Sequence, residues 1–120
     1  MTDVRQPSES TIARVFGAAV AAAADRRAAE DATVRVFAAP GARGSDGDQL
    51  AATAVCLAVR ASPAPAFAAM SPPDAEAVAL ARLLGLKEGR IAAVLGVELS
   101  EIRLRLRRGL AATLSAGATA

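Results

Sequence analysis

A chain of 120 residues and 12.1 kDa holds one domain's worth of polypeptide, or two very small ones, and excludes a large multidomain enzyme. Hydrophobic residues make up 53%, which excludes a disordered polymer, but aromatics are only 2% and much of the apolar count is alanine, so the core is expected to be thin. The formal charge of +2 announces no polyanion binder, while the absence of histidine and the single Cys56 exclude an intrachain disulfide and a Cys/His metal cage. Alanine favours helix, and the β-branched and aromatic residues that favour strands are sparse, so an all-α protein is predicted.

The charge is unevenly placed. Residues 82–120 carry seven basic side chains against three acidic ones, a net +4, which leaves −2 for the preceding stretch. A weakly acidic front and a basic back are what a C-terminal part that meets a polyanion would show. The first ten residues contain no apolar signal-peptide core, and the longest apolar run, Ala18–Ala24, is far too short to span a bilayer. Together with the cysteine usage this points to a reducing, cytoplasmic setting and no membrane. Cys56, flanked by Val55 and Leu57 with no histidine to activate it, reads as a small buried hydrophobe.

In chain order, Ser8 or Ser10 can cap a first helix running to about Ala24, with Ile12, Phe16, Ala19, Val20 and Ala23 on its core face. Asp25 can cap a second helix over Arg26–Ala39 that presents Ala29, Ala32, Thr33, Val36 and Phe37 and is ended by Pro40-Gly41. The Gly- and Asp-rich stretch 40–48 lacks Walker and EF-hand spacing and reads as a connector. Asp48 can cap a third helix of about Gln49–Ala61 that uses Leu50, Thr53, Ala54 and Leu57. Two prolines in residues 62–70 mark a linker. Ser71-Pro72-Pro73-Asp74 then combines a capping serine, proline at the first helical position and an acid three residues after the cap, and Gly85 stops the fourth helix after Leu84.

From Lys87 onward a short helix containing Ile91, Ala92 and Leu95 breaks at Gly96, whose missing side chain suits a left-handed turn residue, and another helix begins near Ser100. This is a helix-turn-helix pattern. In its second helix Ile102, Leu106 and Leu110 form an inward stripe, while Arg103, Arg107 and Arg108 lie on other faces where they could reach phosphates or base edges. Leu104 is expected to be exposed. No activated nucleophile and no paired carboxylates of defined spacing are found, so the pattern is not that of an enzyme, and no catalytic residue or cofactor is expected.

The stretch from Met70 to Leu110 resembles the C-terminal DNA-binding region of bacterial RNA polymerase sigma factors of the extracytoplasmic-function type, on Ile91-Ala92, Leu95-Gly96-Val97, Ile102-Arg103, Arg105-Leu106 and Arg108. The front half, on Val15-Phe16, Asp25–Thr33 and Val36-Phe37, is similar to a degenerate form of the first conserved domain of that family, and residues 50–60 resemble the helix that ends it. The resemblance implies a truncated, divergent sigma-like regulator with four segments. These are an N-terminal helical domain (1–61), an Ala/Pro linker (62–70), a helix-turn-helix domain (71–114) and a flexible tail (115–120).

Carried over by position, the resemblance implies double-stranded DNA as partner, met by Arg90, Ser100, Arg103, Leu104, Arg105, Arg107 and Arg108. It further implies RNA polymerase core as a possible partner, met by Glu30, Asp31, Thr33, Val34 and Arg35, and an anti-sigma factor as another. Three departures bear on function. The aromatic, basic stretch that melts promoters in the family is replaced by the Gly-rich loop, so promoter melting is not expected of this chain. Val34-Arg35 replaces the usual Gln-Glu after the threonine, and Glu101 and Leu104 stand where Thr and Ser are usual, which keeps open the alternative of a protein-interaction module that does not read DNA.

Overall fold

The computed structural model describes residues 9–39 and 46–119, with the side chains of 116–119 left aside. Within them the chain is all-helical: α1 Glu9–Ala22, α2 Arg26–Ala38, α3 Gly47–Ala61, α4 Pro72–Leu84, α5 Glu88–Leu95 and α6 Leu99–Thr119. The expected cap Ser8, the terminator Pro40-Gly41 and most of the Gly-rich connector lie outside the described residues.

In the front half α3 packs against α1 and α2, and it also packs against α4. Its buried face is made of Leu50, Ala51, Ala52, Ala54, Val55, Ala58 and Val59. Such small side chains let helices approach closely at the cost of little apolar area per residue. The same economy shifts the face of α1. Val15, Ala18, Ala19 and Ala22 are buried, whereas Ile12 and Val20, expected inside, are 42% and 45% exposed. The larger side chains are turned out because the alanine-lined face of α3 is met by the alanines of α1. In α2 the buried positions are Ala29, Ala32 and Val36, with Thr33 and Phe37 half-buried, close to the expected face.

Caps fix the helix starts. The Asp25 carboxylate accepts from the Ala28 backbone N–H at 2.8 Å, as expected for α2. For α3 the cap is Asp46, which accepts from the Gln49 N–H at 2.7 Å, two residues before the expected Asp48. Asp48 instead lies in the first turn, where it pairs with Arg14 of α1 at 2.6 Å. Ser71 precedes α4 without a side-chain cap, and Pro72 and Pro73 open the helix.

The Ala/Pro stretch between α3 and α4 is a packed corner. The Ala24 N–H donates to the Ser62 carbonyl, the Ala64 N–H donates to the Ala22 carbonyl, and Phe67 and Met70 are buried. One hydrophobic cluster runs from Val15 through Val55, Phe67 and Leu80 to Ile91 and Ile102. The segment expected as a tether thus adds a phenylalanine to a core that has few large side chains. At the C-terminus, the expected tail from 115 continues α6 as helix to Thr119.

Candidate nucleic-acid interface

Helices α4, α5 and α6 form the C-terminal unit. Gly85 and Gly96 end α4 and α5 in the left-handed conformation, with φ of 66° and 68°, which a side chain would strain. The Val97 N–H returns to the Ala92 carbonyl at 3.1 Å, and the Glu98 carbonyl accepts from Glu101 and Ile102 to open α6. The result is a helix, a tight turn and a second helix, as the sequence pattern predicts.

The second helix is seated on Ile102, which is fully buried, and on half-buried Leu106. Leu110, expected to complete the stripe, is 51% exposed. Its inward role is taken by Gly109, which is buried where α6 crosses α4. A Cβ placed at Gly109 would lie 2.5 Å from Val78 Cγ2 and 3.3 Å from Met70 Sδ, so only glycine allows this approach. Sequence reading missed it, because glycine within a helical pattern gives no sign of what crosses it.

The predicted DNA-facing residues divide by what they touch. Ser100, Arg103, Leu104, Arg107 and Arg108 are exposed, Arg105 is only 18% exposed at its side chain, and Arg90 is exposed on α5. Four of the five arginines meet the chain's own acids. Arg90 Nη2 reaches Asp46 at 3.0 Å, and Arg103 Nε reaches Glu88 at 3.5 Å. Arg105 Nε donates to Glu101 at 2.8 Å. Arg108 donates through Nη2 to the buried Asp74 at 3.1 Å and lies 3.6 Å from Glu101. Arg107 alone of the five makes no ion pair among the described residues. Asp74, the acid of the α4 start signal, therefore anchors α6 to α4.

The residues predicted to face polymerase lie along α2. Glu30, Asp31, Val34 and Arg35 are exposed, and Glu30 is paired with Arg26 at 2.9 Å. Thr33 is half-buried, its hydroxyl donating to the Ala29 carbonyl at 2.8 Å. Val34, 67% exposed, lines an apolar groove between α1 and α2 with Ile12, Ala13, Phe16 and Thr33.

Between the halves, Arg60 of α3 clasps Glu76 of α4 through Nε at 3.0 Å and Nη2 at 2.8 Å. Hydrogen bonding and attraction to Glu76 raise the Arg60 guanidinium above its ordinary value. Beside this pair, burial pushes the Cys56 thiol up to about 12, with the Glu76 charge adding to the effect. Cys56 is thus an inert thiol in character. Among the described residues no cluster of potential ligands could hold a metal ion, and no helix is long and apolar enough to cross a membrane.

Residues 66–112 match the family model for sigma-70, region 4. No curated protein and no solved structure matches the chain. The matched segment begins at the packed corner before α4 and ends within α6, so it covers the whole helix-turn-helix and the helix that supports it. Residues 66–112 are thus similar to sigma-70 region 4, a sigma-factor-like segment at the C-terminal end of the chain.

Proposed function

We propose that this chain is a divergent sigma-like transcription regulator of the extracytoplasmic-function type, acting in the bacterial cytoplasm and binding promoter-type double-stranded DNA through α5 and α6. The observation that carries the reading is the helix-turn-helix itself. Gly96 sets the turn, Ile102 seats the second helix, and the sigma-70 region 4 match covers both. Ser100, Arg103, Leu104 and Arg107 are the exposed side chains of that helix that approach DNA first. Arg103 and Arg107 serve phosphates, and Leu104 is suited to a thymine methyl group. Arg105 and Arg108 contribute less, since their guanidiniums are engaged by Glu101 and Asp74.

Fluorescence anisotropy of the full chain against a pool of labelled promoter-length duplexes, over a series of salt concentrations, tests this. Binding that weakens linearly with log salt is expected. No salt-dependent binding to any duplex would remove the reading.

A second reading is favoured by one feature of the front half. The groove between α1 and α2 exposes Ile12 and Val34, apolar side chains next to Glu30, Asp31 and Arg35. In that reading the chain is an interaction module that docks on RNA polymerase, a sigma factor or an anti-sigma factor without reading DNA. Capture of polymerase or of a sigma regulator from cells, with no DNA enriched, would favour it over the first.

A further inference from the structure

Glu101 lies in the first turn of α6, half-buried, with Arg105 Nε at 2.8 Å and Arg108 Nη2 at 3.6 Å from the same oxygen, Oε2. A carboxylate oxygen shared by two guanidiniums at the start of a helix is the arrangement that a phosphate oxygen would otherwise take up. Glu98, one turn earlier, is exposed and makes no ion pair among the described residues, so the two acids at this turn are not equivalent.

We propose that the Glu101 carboxylate occupies, from within the chain, the place of a DNA phosphate between Arg105 and Arg108, and thereby limits how tightly the helix-turn-helix binds DNA. The inference rests on the DNA-binding reading above. Two costs follow from the geometry. The negative charge at the mouth of the helix repels the backbone phosphate that approaches it, and two guanidiniums are held by an internal partner that a phosphate must displace. Arg108 is half exposed and keeps a second partner in Asp74, so it stays in place when Glu101 is neutralised and presents donors to an incoming anion. Glu101 sets the affinity of the site and leaves sequence choice to the exposed Ser100 and Leu104.

The test compares E101Q with E98Q, which removes the same charge one turn away and frees no arginine. Binding of both variants and the parent chain to one labelled duplex is followed over a salt series, with circular dichroism confirming equal helicity. E101Q is expected to bind about two- to fivefold more tightly, the range in which a single exposed ion pair ordinarily acts. Its slope of log K against log salt is expected to steepen by about 0.9 for each arginine released to a phosphate. In an R105Q background, which removes the guanidinium that pairs with Glu101 and leaves the Asp74–Arg108 anchor in place, the gain should shrink. An affinity and slope for E101Q equal to those of the parent, or a gain no larger than that of E98Q, would overturn the proposal while leaving DNA binding intact. Absence of binding by parent and variant alike would overturn the DNA-binding reading and this inference with it.

Discussion

Arg60 and Glu76, sixteen residues apart in sequence, form a two-point ion pair that joins the last turn of α3 to the first half of α4. Glu76 is nearly fully buried, while Arg60 keeps 62% of its side chain in solvent. The pair lies where the front half meets the sigma-like C-terminal domain. Because the hydrophobic cluster is continuous across that boundary, the two halves are coupled by packing as well as by charge.

Arg60→Ala is therefore expected to lose about 1–3 kcal/mol of stability, because Glu76 would keep its burial and lose its partner. The exposed guanidinium keeps the loss below that of a fully buried pair. Urea denaturation followed at helical wavelengths should show one transition in the parent, with the variant shifted to lower midpoint at similar slope. Two separate transitions in the parent chain would show that the halves fold independently.

The glycines of α1 and α6 should respond in opposite directions to the same substitution. Gly109→Ala would place a Cβ 2.5 Å from Val78 Cγ2 and force α6 away from α4, an overpacking that costs about 1–3 kcal/mol and outweighs a helix-propensity gain of about 1 kcal/mol. At Gly17 nothing lies within 4 Å of the added atom, so Gly17→Ala should stabilise by up to about 1 kcal/mol. Thermal melts of the two variants decide it, and equal shifts of the same sign would contradict the close approach at Gly109.

The element order, the all-helical class and the glycine-capped turn were legible in the sequence because each rests on local signals: alanine content, capping aspartates and glycines at helix ends. The core face of α1 was not. Periodicity weighted by large side chains selects Ile12 and Val20, whereas close packing on α3 selects Ala18, Ala19 and Ala22. In the candidate interface, the Glu101–Arg105 pair is a four-residue helical spacing and could have been read in advance. The Asp74–Arg108 pair spans 34 residues and depends on how α6 crosses α4, which no local pattern encodes.

That difference in partners separates Arg107 from Arg108. Arg107→Ala should leave the melting temperature unchanged and flatten the slope of log K against log salt by about 0.9 if the side chain neutralises a phosphate. Arg108→Ala should destabilise the fold by about 1–3 kcal/mol, since buried Asp74 would be left without its guanidinium. An Arg108 variant as stable as the parent would contradict the Asp74 anchor, and an Arg107 variant with an unchanged salt slope would contradict its phosphate contact.

The pH dependence has an acid and an alkaline arm. Hydrogen bonds from the Ala28 N–H and then the Ser62 hydroxyl hold the Asp25 carboxyl below its ordinary value of 3.8, and the Gln49 N–H followed by Arg90 does the same for Asp46. A folded value below the unfolded one gives stability that is present above 3.8 and lost as pH falls through the lowered folded value. Cys56 runs the other way: its folded value of about 12 stands above the ordinary 9.0, so its contribution is complete below 9.0 and is lost as pH rises toward 12. Melting temperatures of D25N and D46N should fall less steeply in acid than that of the parent. Cys56 is half-buried with its thiol held protonated, so it should react with a thiol reagent at pH 8 well below the rate of the urea-unfolded chain, and equal rates for native and unfolded protein would contradict the raised value.

The last expectation is that the chain does not by itself direct core polymerase to start transcription, even where it binds DNA. Opening a duplex requires unstacking that costs a few kcal/mol per step, commonly offset by aromatic side chains that stack on the freed bases or by apolar wedges between them. The chain has three phenylalanines and neither tryptophan nor tyrosine. Phe67 is buried in the corner between α3 and α4, and Phe37 is half-buried on α2. Phe16 is half-buried on α1, with the Arg26 guanidinium 5.5 Å from its ring centre. Each ring is committed to the fold, and releasing one would remove a large side chain from a core composed mainly of alanine and valine. Run-off transcription with purified core enzyme on duplexes that the chain binds should therefore give no correctly started product, whereas a pre-melted bubble template removes the unstacking cost and tests polymerase docking alone. Product from the bubble template only would place the defect in melting, and a correctly started transcript from intact duplex would show that promoter opening does not need a free aromatic in this chain.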